Sequence, residues 1–262
     1  MSNNLNGTFC LYPDTPDLSA SVFGVDGATG RSLQVLIWEL STMAFTLVNA
    51  RPSPFGRKVA IVLVEKGLPY EVDYDLPWGE GTRTPEFSPL EQLPILVTEA
   101  GEHIYDSAYI VDWLEQRYPQ PALLPAQLEQ RLEAMQRRLL GERLMEIAQN
   151  LIFEMHRPEP SAPWVARQTR KVNGGLAALE RHYSTRVQND LNGFDLGDIA
   201  VGTSLLLFEF AVSAGLTMPI DVLVWRGRYP AITKFLEVLE QRPSFVATRP
   251  ETMVVDIGST IS

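Results

Sequence analysis

The chain has 262 residues and a formal net charge of −10, and hydrophobic residues make up 45% of it. This length accommodates one large domain or two modest ones. Because the chain is acidic and shows no basic stripe, we expect no general attraction for nucleic acid or for an anionic membrane. No apolar run approaches the ~20 residues that span a bilayer, and the first residues lack the basic and apolar regions of a secretory signal.

The cysteine and histidine content argues against disulfides and metal. A single cysteine, Cys10, forms no internal disulfide and no cysteine-rich zinc site. The histidines, His103, His156 and His182, lie far apart and have no metal-ligand spacing. We therefore predict no metal and expect a reducing cytoplasm as the compartment.

Residues 1–43 differ in composition from the rest of the chain, because Ser, Thr, Asn, Gly and Asp predominate around one apolar stretch at 33–38. Two interpretations stay open. In the first, the segment is a flexible extension, or the native protein begins at Met43. In the second, the apolar stretch forms an extra strand or clasp that packs on the body.

From residue 44 onward, strand and helix patterns alternate. A short apolar, partly β-branched run indicates a buried strand, Ser53-Pro54 is typical of a helix start, and Gly67 is a natural helix stop. The order β-α-β-α-β-β-α follows from predicted strands at 45–48, 70–74, 94–97 and 103–105, and from predicted helices at 54–66, 84–87 and 107–118. We assign this α/β unit to residues 44–122.

After a proline-bearing linker at 118–122 the pattern becomes purely helical, which predicts an all-α domain over 126–250. Asp195 and Asp198 have the spacing of a capping box, an element of folding rather than of catalysis. Residues 196–213 are apolar nearly all round, which indicates a buried central helix. The helices are predicted at about 126–156, 162–187, 196–213 and 229–243.

The helix start at Ser53-Pro54 is the first of three motifs with chemical meaning. A helix N-terminus offers unpaired N–H groups and the positive end of the helix dipole, which together stabilise an anion. A hydroxyl on the cap residue adds a donor directed to the same place and favours a thiolate. Ordinary helix capping is the alternative interpretation of this dipeptide when it is considered alone.

The other two motifs point to the binding of an extended peptide. A cis bond at Leu93-Pro94 would leave the backbone N–H and C=O of Leu93 free to pair with a ligand. Asp106 and Ser107, at a helix start, would bind the ammonium and carboxylate of an amino-acid moiety. A strand-starting proline and an ordinary N-cap are the alternative interpretations of these residues.

Taken together, the three motifs resemble those of the glutathione S-transferase superfamily, especially its serine-type, tau-like and bacterial members. The similar stretches are Ser-Pro-Phe-Gly-Arg-Lys-Val at 53–59, Ser-Pro-Leu-Glu-Gln-Leu-Pro-Ile-Leu-Val at 88–97, Tyr-Asp-Ser-Ala-Tyr-Ile at 105–110, and the segment 228–244. The resemblance covers about residues 44–248. It implies a thioredoxin-like N-terminal domain followed by an all-helical C-terminal domain.

The resemblance also implies roles for individual residues. Ser53 would be the catalytic hydroxyl that donates to the glutathione thiolate, and Leu93 would pair its backbone with the cysteinyl part, with Pro94 as the cis-proline. Asp106 and Ser107 would bind the γ-glutamyl end. Further polar neighbours of glutathione would be Gln92, Arg83 and His103. Aromatic side chains offered for the second substrate are Tyr74, Trp78, Trp164 and Phe208.

The activity implied is conjugation of the glutathione thiolate to a small hydrophobic electrophile in detoxification, by a cytoplasmic homodimer. Other glutathione-dependent reactions (ether cleavage, dehalogenation or isomerisation) and a non-catalytic binding or regulatory role stay open as alternatives. The sequence departs from the family pattern in two places, since Asp106 replaces a longer glutamate and Ser88 replaces an asparagine. Thiol exchange is disfavoured, because the catalytic position holds Ser53 and no cysteine.

Overall fold

The structure is a computed structural model that describes residues 45–186 and 193–250. The alternatives for residues 1–43 lie outside the described part of the chain. The first half forms a mixed four-stranded sheet with the strand order β2-β1-β3-β4. Its strands are β1 (Phe45–Asn49), β2 (Tyr70–Tyr74), β3 (Ile95–Val97) and β4 (His103–Tyr105), and its helices are α1 (Pro54–Glu65), α2 (Thr84–Phe87) and α3 (Ser107–Arg117).

The pairing of the strands follows from the connections between them. β1 and β2 run parallel, with Phe45 opposite Tyr70, and a parallel pair requires a crossover such as α1. β1 pairs with β3 and β3 with β4 in antiparallel register. The β-α-β-α-β-β-α order predicted from the sequence is therefore confirmed, and strands β2 and β4 have the predicted bounds.

Helix α1 begins and ends where its local sequence indicates. The Ser53 hydroxyl accepts a hydrogen bond from the Gly56 N–H at 3.2 Å, and Pro54 stands in the first turn, where its missing N–H costs nothing. Gly67 ends the helix with a φ of 64°, a conformation that glycine adopts without strain. Between these ends, most apolar side chains of the helix are buried in the core.

The second half is helical. It consists of α4 (Leu128–Met155), α5 (Ala162–Thr185), α6 (Leu196–Ser213), α7 (Ile220–Leu223), a 3₁₀ turn at Trp225–Gly227, α8 (Pro230–Leu239) and α9 (Pro243–Ala247). The predicted all-α architecture is confirmed. The last predicted helix, however, ends at Leu239 rather than at Arg242-Pro243, and Pro243 begins a separate short helix.

Helix α6 lies at the centre of this half. The Asp195 carboxylate accepts from the N–H groups of Gly197 and Asp198, and the Asp198 side chain accepts from the Asp195 N–H in return, so the predicted capping box is present. The backbones of α4 and α6 come close at Gly141, where an added Cβ would lie 2.6 Å from the carbonyl carbon of Ala200. This glycine permits the close crossing of the two helices.

Buried contacts join the two halves. The Nζ of Lys58 on α1 is 2.6 Å from a carboxylate oxygen of Glu142 on α4. The Nζ of Lys66 donates to the carbonyls of Tyr118 and Pro121 in the connecting segment, at 2.7 and 3.0 Å. The Lys58 contact fixes the first half of α1 relative to α4, and the Lys66 contacts fix its end relative to the connecting segment. The peptide bonds preceding Pro94 and Pro121 are cis.

Among the described helices, α6 (Leu196–Ser213) is long and apolar enough to cross a membrane, but 83% of its most apolar window is buried inside the fold. That burial is typical of a core helix. Within residues 45–186 and 193–250, no three histidine, cysteine or acidic side chains are grouped as metal ligands.

Candidate functional site

A cleft of about 640 Å³ lies between the carboxyl end of β1, the loop before β3, the start of α3 and one face of α4. It brings together most of the residues that the motifs single out. The predicted residues lining it are Ser53, Gln92, Leu93, Pro94, Asp106 and Ser107, together with the aromatic Trp78.

Ser53 presents its hydroxyl at the base of this cleft. The oxygen accepts from the Gly56 N–H, and its own proton is donated to no described residue. The residue precedes a helix of 12 residues, whose dipole places partial positive charge at the same position. The arrangement leaves one hydroxyl donor and the positive end of a helix available to an anion in the cleft.

The loop before β3 forms one wall of the cleft. Leu93 and Pro94, joined by the cis peptide bond, both line it. Among the described residues, none exchanges a hydrogen bond with the backbone N–H or C=O of Leu93. These groups are therefore available to pair with an extended ligand. Gln92 lies beside them, with an exposed side chain that also faces the cleft.

Asp106 and Ser107 form the corner of the cleft at the start of α3. The Asp106 carboxylate accepts from the Ala108 N–H at 2.7 Å, which leaves its second oxygen free for another partner. Asp106 has a φ of 60°, a sparsely populated conformation for a residue with a Cβ that costs about 1–3 kcal/mol and clusters at ligand sites. Ser107 is buried beside it.

Arg83 and His103 do not line the cleft. The Arg83 side chain forms an ion pair with Asp73, and its guanidinium carbon lies 5.6 Å from the centre of the Phe87 ring. The His103 ring contacts the same phenylalanine edge-on, with ring centres 5.0 Å apart. Both side chains therefore gather around Phe87, so neither belongs to the group that faces the cleft.

One wall of the cleft comes from a helix that the motifs do not mark. Glu146, Gln149, Asn150 and Phe153 on α4 line it, and their spacing of i, i+3, i+4 and i+7 places them on one helix face. The sequence shows this spacing. What it does not show is that this half of α4 faces the sheet domain, because the apolar side chains of α4 occur on more than one face.

The cleft continues into a smaller apolar recess of about 80 Å³, here called the side pocket. It shares several residues with the cleft, including Pro52 and Pro54 on either side of Ser53. The residues lining the side pocket are Pro52, Pro54, Trp78, Gln149, Ile152, Phe153, Leu207, Phe210 and Leu216.

Of the four aromatic residues offered for a second substrate, Trp78 lines both the cleft and the side pocket. Tyr74 lies instead under the Arg51 guanidinium, 4.1 Å from the centre of its ring. Trp164 packs on the hydrophobic core, and Phe208 is buried within it. On α6 it is Phe210 that faces the side pocket, since a shift of two residues turns a side chain by about 200° around a helix.

The charges around the cleft have one sign. Three carboxylates line it, those of Glu91, Asp106 and Glu146, and the described lining contains no lysine, arginine or histidine. Positive potential in the lining comes from the N-termini of α1 and α3. An anion in this cleft would be stabilised most at these two helix starts.

Comparison with known proteins agrees with this fold and site. Residues 47–122 match the family model described as the glutathione S-transferase N-terminal domain. An uncharacterized GST-like protein, YibF, from Escherichia coli is 31% identical over 209 residues, covering 78% of this chain and 98% of that protein. A zeta-class glutathione S-transferase from Euphorbia esula is 31% identical over 215 residues, covering 78% of this chain and 89% of the relative.

Two further comparisons extend the set. A maleylacetoacetate isomerase from Pseudomonas aeruginosa is 31% identical over 136 residues, 47% of this chain and 62% of the isomerase. The crystal structure of a glutathione S-transferase from Methylobacterium radiotolerans, in complex with glutathione sulfonate, aligns with a TM-score of 0.70 and 38% identity. The alignment covers 81% of this chain and 97% of the Methylobacterium chain. This chain therefore belongs to the glutathione S-transferase family.

Proposed function

We propose that the chain binds reduced glutathione in the cleft, holds its sulfur as a thiolate at Ser53, and conjugates it to a small hydrophobic electrophile. The observation that carries this proposal is the position of Ser53, whose hydroxyl opens α1 and lines the same cleft as Leu93 and Ser107. The solved relative with glutathione sulfonate supports the choice of ligand, because it shares 38% of its sequence with this chain.

The magnitudes are sufficient for thiol activation. A free thiol has a pKa of ~8.5, and lowering it by about two units takes ~2.7 kcal/mol of differential stabilisation. One hydrogen bond to a charged group supplies ~1.5–3 kcal/mol, and a helix N-terminus adds ~0.3–1 kcal/mol. Ser53 and the start of α1 together therefore bring the thiolate close to being the major form at neutral pH.

The cysteinyl residue and the γ-glutamyl end of the tripeptide are assigned to the other walls of the cleft. The free backbone groups of Leu93, beside Pro94, pair with the cysteinyl residue in antiparallel fashion. The γ-glutamyl ammonium binds the second carboxylate oxygen of Asp106, and its carboxylate binds at the start of α3 with Ser107. Gln92 is a further polar contact. Arg83 and His103 have no part in this proposal, because their side chains lie around Phe87.

The electrophile is assigned to the side pocket. Its walls are almost entirely apolar, and two of them are the prolines next to Ser53. A hydrophobic group bound there has its reactive carbon beside the sulfur. Trp78 is the one aromatic residue from the sequence analysis that serves this proposal, and Phe210 takes the position on α6 that the sequence analysis assigned to Phe208.

Two measurements test the proposal. Titration calorimetry with reduced glutathione should show binding to the full chain, and Ser53→Ala should lower the conjugation rate by about 10–100-fold, the value of one hydrogen bond to a charged group. The matched control is Ser161→Ala, because Ser161 also precedes a helix but makes no side-chain cap bond and lies outside the cleft. No glutathione binding, or equal rates for both variants, would contradict the proposal.

A second candidate function is glutathione-dependent isomerisation, which the similarity to a maleylacetoacetate isomerase favours. The charge of the cleft argues for the first candidate, because a substrate with two carboxylates would face Glu91 and Glu146 with no described cation opposite them. Incubation with glutathione and a cis-configured dicarboxylate separates the two. A thioether product supports conjugation, and a trans isomer with glutathione recovered unchanged supports isomerisation.

We also propose that the protein is a homodimer in the cytoplasm. One face of α4 carries Leu128, Leu132, Met135 and Leu139 at helical spacing, each at least 47% exposed, and a second copy is the partner proposed to cover it. Size-exclusion chromatography with light scattering should give twice the mass of the chain for the parent protein. For Leu132→Glu the measured mass should be that of a single chain. A monomeric parent protein would refute the dimer.

A further inference from the structure

The side pocket contains one amide among otherwise apolar walls. Gln149 is its only lining residue, within the described chain, with an amide, hydroxyl or charged side chain. The same residue also lines the main cleft, so Gln149 belongs to both cavities. Apart from the indole N–H of Trp78, the Gln149 amide is the one polar side-chain group among these residues. A small number of polar groups in an apolar pocket fixes the orientation of a ligand.

The Gln149 amide is unused by the fold. It exchanges no hydrogen bond with any described residue, and the residue is only partly buried. The cap of α4 uses Gln127, and Gln149 is not among the buried side chains of the helix, so capping and core packing do not require the Gln149 amide. Its two N–H donors are free to bind a group in the side pocket.

The position of the amide relative to Ser53 defines its chemistry. Pro52 and Pro54 line the side pocket and flank Ser53, so an electrophilic carbon in this pocket has the proposed sulfur on one side. Gln149 lines the same pocket from a different element, the helix α4. A substrate that spans the two has its reactive carbon toward Ser53 and a hydrogen-bond acceptor toward the amide.

Resting on the function proposed above, we infer that Gln149 is a catalytic residue that selects uncharged electrophiles carrying a conjugated oxygen acceptor, such as α,β-unsaturated ketones. The thiolate sulfur forms a bond to the β-carbon while the carbon–carbon π bond breaks, and its electron pair moves to the carbonyl oxygen. Gln149 donates to that oxygen as it becomes an enolate. The α-carbon then takes a proton from solvent, which replaces the one that the thiol released.

This role separates two classes of electrophile. With an alkyl halide, the carbon–halogen bond breaks and halide leaves, so no substrate oxygen gains charge and the Gln149 donor has nothing to stabilise. With an enone, charge grows on the oxygen only as the carbon–sulfur bond forms. An interaction made mainly in the transition state lowers kcat when it is lost and leaves KM nearly unchanged.

The experiment compares cyclohexenone with benzyl bromide as second substrates for the full chain. Gln149→Met, which removes the donors, should lower kcat for cyclohexenone by about 10–100-fold and change the rate with benzyl bromide by less than about 3-fold. The matched control is Gln136→Met, the same substitution on an exposed part of the same helix outside the cleft. Gln149→Ala repeats the test with a smaller side chain.

The outcomes distinguish this inference from the function on which it rests. If Gln149→Met slows both substrates equally, or neither, while the parent protein conjugates both, the assignment of Gln149 is overturned and the proposed transferase function stands. If the parent protein binds no glutathione and conjugates neither substrate, both are overturned. A selective loss of kcat with the enone supports the inference.

Discussion

Replacing Glu142 should cost more stability than replacing Lys58, although the two side chains form one ion pair. The Lys58 side chain is 2% exposed, and Glu142 is its one carboxylate partner among the described residues. Glu142, in contrast, keeps a second cation, because the Nε of Arg138 lies 3.1 Å from the same carboxylate oxygen. Desolvation by burial lowers the pKa of Lys58, which shows how costly its charge is in this position.

The loss in the free energy of unfolding depends on which charge is left without its partner. Glu142→Leu leaves Lys58 buried without a counter-charge, and we expect a loss of about 3–5 kcal/mol in the free energy of unfolding. Lys58→Met leaves Glu142 paired with Arg138 and removes one charge-assisted hydrogen bond, so the expected loss is about 1.5–3 kcal/mol. The double variant replaces both charges with apolar groups and should be more stable than Glu142→Leu alone.

Urea unfolding of the three variants measures these differences, with the slope of each transition checked against the parent protein. The reasoning is refuted if the two single variants lose the same stability, if Lys58→Met loses more, or if the double variant loses the sum of the two. Any of these results would mean that the unpaired lysine is not the source of the cost.

Other predictions concern helix crossing, helix capping and pH. Gly141→Ala should destabilise the protein by about 1–3 kcal/mol, because an added Cβ meets the backbone of α6. Gly174→Ala should stabilise it by about 0.5–1 kcal/mol, because nothing lies within 4 Å of an added Cβ there. Thermal unfolding of both variants checks the sign of each change. Asp195→Ala should cost about 3–5 kcal/mol in urea unfolding, because it removes a helix cap and leaves a buried arginine without its nearest carboxylate. Burial and two neighbouring arginines lower the pKa of His182 below its ordinary value of 6.5. As the pH falls, the His182 imidazole therefore binds a proton in the unfolded chain before it does so in the folded one, and the stability of the fold decreases below pH 6.5. His182→Gln should flatten this fall in unfolding experiments across pH, and the exposed His103→Gln should leave it in place.

Local sequence was enough to predict the elements of the fold wherever the ends of helices carry their own signals. Ser53-Pro54 and the Asp195 capping box start helices, and Gly67 ends one, through contacts within a few residues. Such contacts do not depend on the rest of the chain. The short helix that begins at Pro243 was missed, because a proline is typical both of the end of a helix before it and of the start of a helix.

The candidate site was predicted only where it is built from loops and helix starts. The face of α4 that carries Gln149 and Phe153 was missed, because its orientation depends on how the two halves of the molecule pack together. The sequence analysis named Phe208 and missed Phe210. Because α6 is apolar nearly all round, its sequence does not distinguish the face toward the core from the face toward the side pocket. Arg83 was assigned to the cleft without a motif, and it lies beside Asp73 instead.

The most direct test of thiol activation is an ultraviolet titration of glutathione bound to the full chain, which reports the thiolate as a function of pH. The parent protein should give an apparent thiol pKa about two units below the free value of ~8.5. Ser53→Ala should return the pKa most of the way to the free value, because the helix N-terminus alone supplies only ~0.3–1 kcal/mol. An unshifted pKa in the parent protein, or the same lowered pKa in Ser53→Ala, would contradict the role given to Ser53.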